Sequence, residues 1–137
     1  MNQEQTARAF FDACETGKGW AACKAWCTED ATFSCQADAL AETRTVAVYS
    51  EWMKGLLGPI PDGRYELKAF AFDTGRECAV AAAVFHGTQT GAGGPVAPTG
   101  KSVASDYVYV FSFESGKISH MTKIWNDLFA LRLLGWA

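Results

Sequence analysis

The sequence is short of what several protein classes require. Its 12 basic residues are outnumbered by 15 acidic ones, for a formal net charge of −3, which excludes a basic nucleic-acid binder as the default reading. No long apolar run exists. The longest, Cys78 to Phe85, is far too short to span a bilayer. The N-terminus, MNQEQTARAF, has no basic stretch leading into an apolar one, so no secretory signal is expected. Histidine is scarce, with two residues, and neither lies within thirty positions of the closely spaced Cys23 and Cys27. That pair therefore lacks the company a metal site needs. Five cysteines is an odd number, and a chain of this size buries a core without bridges. Plain reduced thiols and a cytoplasmic location are expected. No repeat, low-complexity stretch or linker divides the chain, so a single domain over 1–137 is expected. What is abundant is apolar: 49% hydrophobic and 13% aromatic residues, which argues against disorder.

Apolar periodicity predicts helices early and strands late. Ala7, Phe10, Phe11 and Cys14 share one face of a helix over 2–16, which Gly17 and Gly19 end. A second helix is predicted over 20–27, a strand over 30–36, and a third helix over 46–57 with Thr45 as its cap. Strands follow over 64–73, 77–89, 102–113 and 117–125, and a terminal helix begins after Asn126. In the first of these strands the parity switches near Ala69, which implies a bulge. The pattern is an α+β fold, with helices laid on one face of a curved antiparallel sheet.

The last hairpin carries the most information. A three-residue turn ending at Gly116 would set Phe113 opposite Lys117, Tyr107 opposite Lys123 and Tyr109 opposite Met121. One face would then hold Tyr107, Tyr109, Phe111, Met121, Lys123 and Trp125. The other would hold Val108, Val110, Ile118, His120, Thr122 and Ile124. With a two-residue turn, Lys123 would join the valines. The helices cover only one face. The other, extended by Val80 and Val84, is expected to meet a second copy of the chain in a homodimer. Lys123 among aromatic rings is the oddest residue. Burial lowers a lysine's pKa, which suits a general base, an oxyanion stabiliser or a Schiff-base amine.

Several short segments, in order, carry a family resemblance: Phe10-Phe11, Glu29 to Phe33, Gly87-Thr88-Gln89-Thr90-Gly91, Pro98-Thr99-Gly100-Lys101, Gly116-Lys117-Ile118 and Leu131 to Gly135. In these the chain resembles the SnoaL-like polyketide cyclases, within the nuclear transport factor 2-like and ketosteroid isomerase-like superfamily. The resemblance implies a cone-shaped, cystatin-like α+β barrel with one apolar pocket, often in a dimer. Its walls would come from Phe33 and Cys35, Tyr49 and Met53, Ala81 and Ala83, together with Gln89, Met121 and Trp125.

The family's chemistry carries over unevenly. The cyclases' carboxylate on the last strand corresponds to Lys123, and the isomerases' carboxylate late in the first strand falls nearest Cys35. The cyclases' polar pair on the penultimate strand corresponds to Tyr107 and Tyr109, and the histidine of the Gly-Thr-His-x-Gly element is replaced by Gln89. The resemblance therefore implies a cofactor- and metal-independent proton transfer on an apolar carbonyl compound, polyketide- or steroid-like. Lys123 would be the base or stabiliser, with Tyr107 and Tyr109 as hydrogen-bond donors. The missing carboxylates leave a second expectation, a non-catalytic module that binds an apolar metabolite. Neither nucleic acid nor membrane is an expected partner.

Overall fold

Asn2 starts the first helix, α1 (Gln3–Glu15). Its side chain accepts from the N–H of Gln5, and the Gln5 side chain returns the bond to Asn2, a closed capping box. The computed structural model describes residues 1–137. Its helices are α1, α2 (Trp20–Cys23), α3 (Val46–Leu56) and α4 (Asp127–Leu134). Its strands are β1 (Cys27–Cys35), β2 (Arg64–Asp73), β3 (Cys78–Thr88), β4 (Ser102–Glu114) and β5 (Lys117–Trp125). Thr45 caps α3 and Asn126 caps α4 through their side chains. The predicted second helix is shorter than expected: four α-helical residues followed by a 3-10 turn over Lys24–Trp26.

The five strands form one sheet in the order β1-β5-β4-β3-β2. The expectation of a wholly antiparallel sheet needs correcting, because β1 runs parallel to β5. Parallel neighbours need a long connection. Here α3 and the whole β2–β4 meander intervene, so the first strand is free to join the last from its open edge. The bulge expected near Ala69 is present: Leu67 faces Ala83 while Ala69 faces Ala82, leaving Lys68 unpaired. It brings Tyr65, Leu67, Phe70 and Phe72 onto the same side as Ala79, Ala81 and Ala83.

The last hairpin differs from its predicted register. Glu114 pairs with Lys117, so the turn has two residues. Ser115 and Gly116 both have positive φ, 52° and 79°, as a type I′ hairpin requires. That turn alone would place Lys123 among the valines. A second irregularity prevents it: Phe113 pairs with Ile118 but Ser112 pairs with His120, so Ser119 is an extra residue. Tyr109 then faces Lys123, Tyr107 faces Trp125 and Phe111 faces Met121. Ile118, expected on the valine face, instead lies in the core with no exposure. The bulge is what allows Ile118 and the Met121–Lys123–Trp125 row to point inward together.

The main core lies between this inner face and α1, α2 and α3. A separate small cluster, Ile60, Val103, Ala130 and Leu134, holds α4 across one end. The outer face stays uncovered: Val80, Val84, Val108 and Val110 are half-buried and Ile124 is exposed. His86 bonds Glu66, and His120 bonds Thr32 and Ser34 on this outer side. No helix is long and apolar enough to cross a membrane.

Candidate functional site

The site is a line of hydrogen bonds through the core. Lys123, 5% exposed, donates from Nζ to the Tyr49 hydroxyl at 2.9 Å. The Tyr49 and Tyr109 hydroxyls bond each other. Tyr109 donates to Oε2 of Glu15 at 2.8 Å, and Tyr107 donates to Oε1 at 2.5 Å. Each tyrosine has one proton to give. Since Tyr109 gives its proton to Glu15, Tyr49 must donate to Tyr109. Every bond in the line therefore points from the ammonium towards the carboxylate. Lys123 itself forms no ion pair with any carboxylate.

Glu15 is the residue that the sequence reading missed. It is the last residue of α1 and 2% exposed. Gly17 and Gly19, with φ of 74° and 75°, turn the chain away immediately afterwards. A Cβ at Gly17 would meet Leu57 at 2.5 Å, so the turn is packed closely against the end of α3. A carboxylate at a helix C-terminus meets the negative end of the dipole. The two tyrosine donors compensate. The signal was present: Glu15 follows Phe11 by four residues, so it continues the buried stripe of α1.

Burial dominates the electrostatics. It pushes the Glu15 carboxyl above its usual range, against the opposing pull of the Lys123 charge and the tyrosine bonds. It pulls Lys123 down to about 8, against the pull of Glu15 in the other direction. Tyr49, Tyr107 and Tyr109 are all raised, first by burial and then by the Glu15 charge, so they stay protonated as donors.

Lys123, Glu15 and Tyr107 face an apolar cavity of about 50 Å³. Its walls include Trp52, Met53, Leu56, Phe85, Trp125 and Trp136. Metabolite sites usually occupy about 300–1,000 Å³, so a ligand must displace wall residues. Those at one end belong to α4 and its small cluster. Trp125 is held by its own bond to Ser105, at 3.0 Å. The indole Nε1 of Trp136 is the only buried side-chain polar atom with no partner.

Of the residues singled out from the sequence, Lys123, Tyr107, Met53 and Trp125 line this cavity. Tyr49 and Tyr109 lie behind it, within the hydrogen-bond line. Phe33 stacks on Tyr49 with ring centroids 4.4 Å apart. Met121, Ala81 and Ala83 are packed into the main core. Cys35 pairs with Lys123 across the parallel ladder and opens onto a polar groove that shares Lys123 and Trp125 with the cavity. Gln89 is buried away from the cavity. Its Oε1 accepts from the Thr99 N–H at 2.7 Å and its Nε2 donates to the Gly91 carbonyl at 3.3 Å, which ties the two ends of the Gly91–Gly100 loop together.

Comparison with known proteins bears on the fold and the family. None of the curated protein sequences matches the chain. Among solved structures, AclR from Streptomyces galilaeus, provisionally named a hydroxylase, matches with a TM-score of 0.78 at 18% identity, over 98% of this chain and 82% of that one. A protein from Jannaschia sp. CCS1, provisionally named a SnoaL-like polyketide cyclase, matches with a TM-score of 0.78 at 16% identity, over 98% and 93%. IdmH from Streptomyces antibioticus, provisionally named a polyketide cyclase, matches with a TM-score of 0.74 at 18% identity, over 98% and 99%. At these identities the likeness is one of fold, an α+β cone of the nuclear transport factor 2-like type. The family model for the SnoaL-like domain matches residues 7–121, and on that match the chain belongs to the SnoaL-like domain family.

Proposed function

We propose that the protein catalyses proton transfer next to the carbonyl of an apolar compound, in the manner of a cyclase or isomerase. The observation that carries the reading is the placement of Lys123 and Glu15 on the same apolar cavity, linked through tyrosine hydroxyls. A base at about 8 is close to the working range of general-base catalysis. Tyr107 lines the cavity beside them; its proton goes to ionised Glu15, so it turns to a developing enolate oxygen once Glu15 carries a proton of its own. The aromatic walls favour a cyclic polyketide- or steroid-like skeleton, and the unpartnered Trp136 N–H favours a second acceptor on the ligand. The reading invokes no cofactor.

The test is deuterium uptake at the α-carbon of α-tetralone, followed by NMR in heavy water. Wild-type protein should exceed the buffer rate by at least tenfold. Tight binding of α-tetralone with exchange at the buffer rate would overturn the enzyme reading and leave the binding module.

The exposed valine face supports a homodimer through Val80, Val84, Val108 and Val110, and the five unbridged thiols support a reducing compartment. Analytical ultracentrifugation should find a dimer at micromolar concentration, and Val110→Glu should shift it to monomer. A wild-type monomer at high micromolar concentration would sink the interface.

A further inference from the structure

Lys123 has more hydrogen-bonding capacity than the fold uses. An ammonium carries three donors, and only one partner, Tyr49, is within reach. The other approaches are aromatic. The Nζ lies 4.2 Å from the centroid of Trp125 and 5.1 Å from that of Trp52. Such faces attract a cation, but they leave a neutral amine's lone pair unobstructed. Lys123 and Trp125 line both the cavity and the neighbouring polar groove.

We propose that Lys123 acts covalently, its amine condensing with the carbonyl of the bound compound to form an iminium. The inference rests on the carbonyl-compound reading above. One ammonium proton first passes to Glu15 along the hydroxyl line; the Nζ lone pair so freed attacks the carbonyl carbon, an N–C bond forms and one N–H proton passes to the oxygen. The resulting carbinolamine hydroxyl takes a second proton, from the Glu15 carboxyl by way of Tyr107. The C–O bond breaks and water leaves. An iminium and an ionised Glu15 remain, so charge is conserved. The iminium acidifies the neighbouring C–H more than a hydrogen-bonded carbonyl does, which gives the lysine a role that a carboxylate at its position would lack. The lowered proton affinity of Lys123 is consistent with this, because only the free amine attacks.

The experiment is reductive trapping with benzaldehyde and cyanoborohydride at pH 7, with peptide mapping of every lysine. Benzaldehyde has no α-hydrogen, so trapping reads the amine and is blind to proton transfer. Failure here and failure of the α-tetralone assay are therefore separate results. Benzylation of Lys123 should exceed that of exposed Lys68 and Lys117 by at least tenfold. The preference should vanish in urea, and Glu15→Gln should reduce trapping at least fivefold while thermal melting shows the variant folded. Trapping at Lys123 no faster than at Lys68 in the folded protein would overturn the proposal. So would α-tetralone exchange by wild type that continues at full rate in Lys123→Arg, which keeps the charge but cannot form the imine.

Discussion

Glu15→Ala should lower the unfolding free energy by about 3 kcal/mol or more. The substitution leaves the Tyr107 and Tyr109 hydroxyls without an acceptor, and each orphaned buried donor is worth about 1–3 kcal/mol. It also removes the only carboxylate joined to Lys123, so a buried ammonium loses its compensating charge. A loss of that size corresponds to a Tm about 10 °C lower for a chain of this length. Glu15→Gln should lose less, about 1–2 kcal/mol, because the amide oxygen still accepts one tyrosine. Urea titrations of the three proteins would measure the order. A loss below about 1 kcal/mol in Glu15→Ala would show that water reaches both hydroxyls, and the carboxylate would then be no keystone.

Lys123→Met should have the opposite profile. Turnover of α-tetralone should fall by about 10²–10⁴, the usual contribution of a positioned acid–base group, with stability retained or improved. Methionine fills similar space without a charge to desolvate, and Glu15, already raised by burial, keeps both tyrosine donors and takes up a proton in place of its lost partner. The gain should depend on pH. Folded Lys123 titrates at about 8, and an unfolded lysine at about 10.4. Between those values the unfolded chain binds more protons, so stability on account of Lys123 rises with pH, and its penalty is full below about 8. The stability advantage of Lys123→Met over wild type should therefore be greatest below pH 8. From there towards pH 10 it should shrink by about 1.4 kcal/mol per unit. Taking the difference between two proteins cancels the tyrosines and thiols that titrate in the same range. A pH-independent difference would show that the amine is hydrated in the folded state.

The residues exposed the fold more readily than the site. The Thr45 cap, the helix start after Asn126 and the bulge beside Ala69 are legible because each has a local cause: a side chain that reaches a nearby N–H, or a break in parity. The sequence pattern points Lys123 inward through a three-residue turn, whereas the turn has two residues. Two departures, a shorter turn and the extra Ser119, restore the same facing. Such a pair is invisible to pattern reading, because alternation reports only the net parity. Glu15 was missed for a different reason. The family resemblance directs attention to carboxylates on strands, whereas Glu15 sits at the end of a helix. Gln89 shows the reverse case: its place in a family motif pointed to the ligand, while its hydrogen bonds serve the loop.

The line from Lys123 to Glu15 also bears on the order of folding. Its tyrosine–carboxylate bonds join residues 92 and 94 positions apart, the longest separations among the side-chain hydrogen bonds. The β2–β5 meander closes through connections of 13 residues or fewer and is able to form early, whereas contacts 92 and 94 positions apart carry more loop-closure entropy and tend to form late. A chain with its meander built and α1 undocked would hold an ammonium facing no carboxylate. Site assembly and completion of the fold would then be a single kinetic event, and the onset of amine reactivity after dilution from urea would time it.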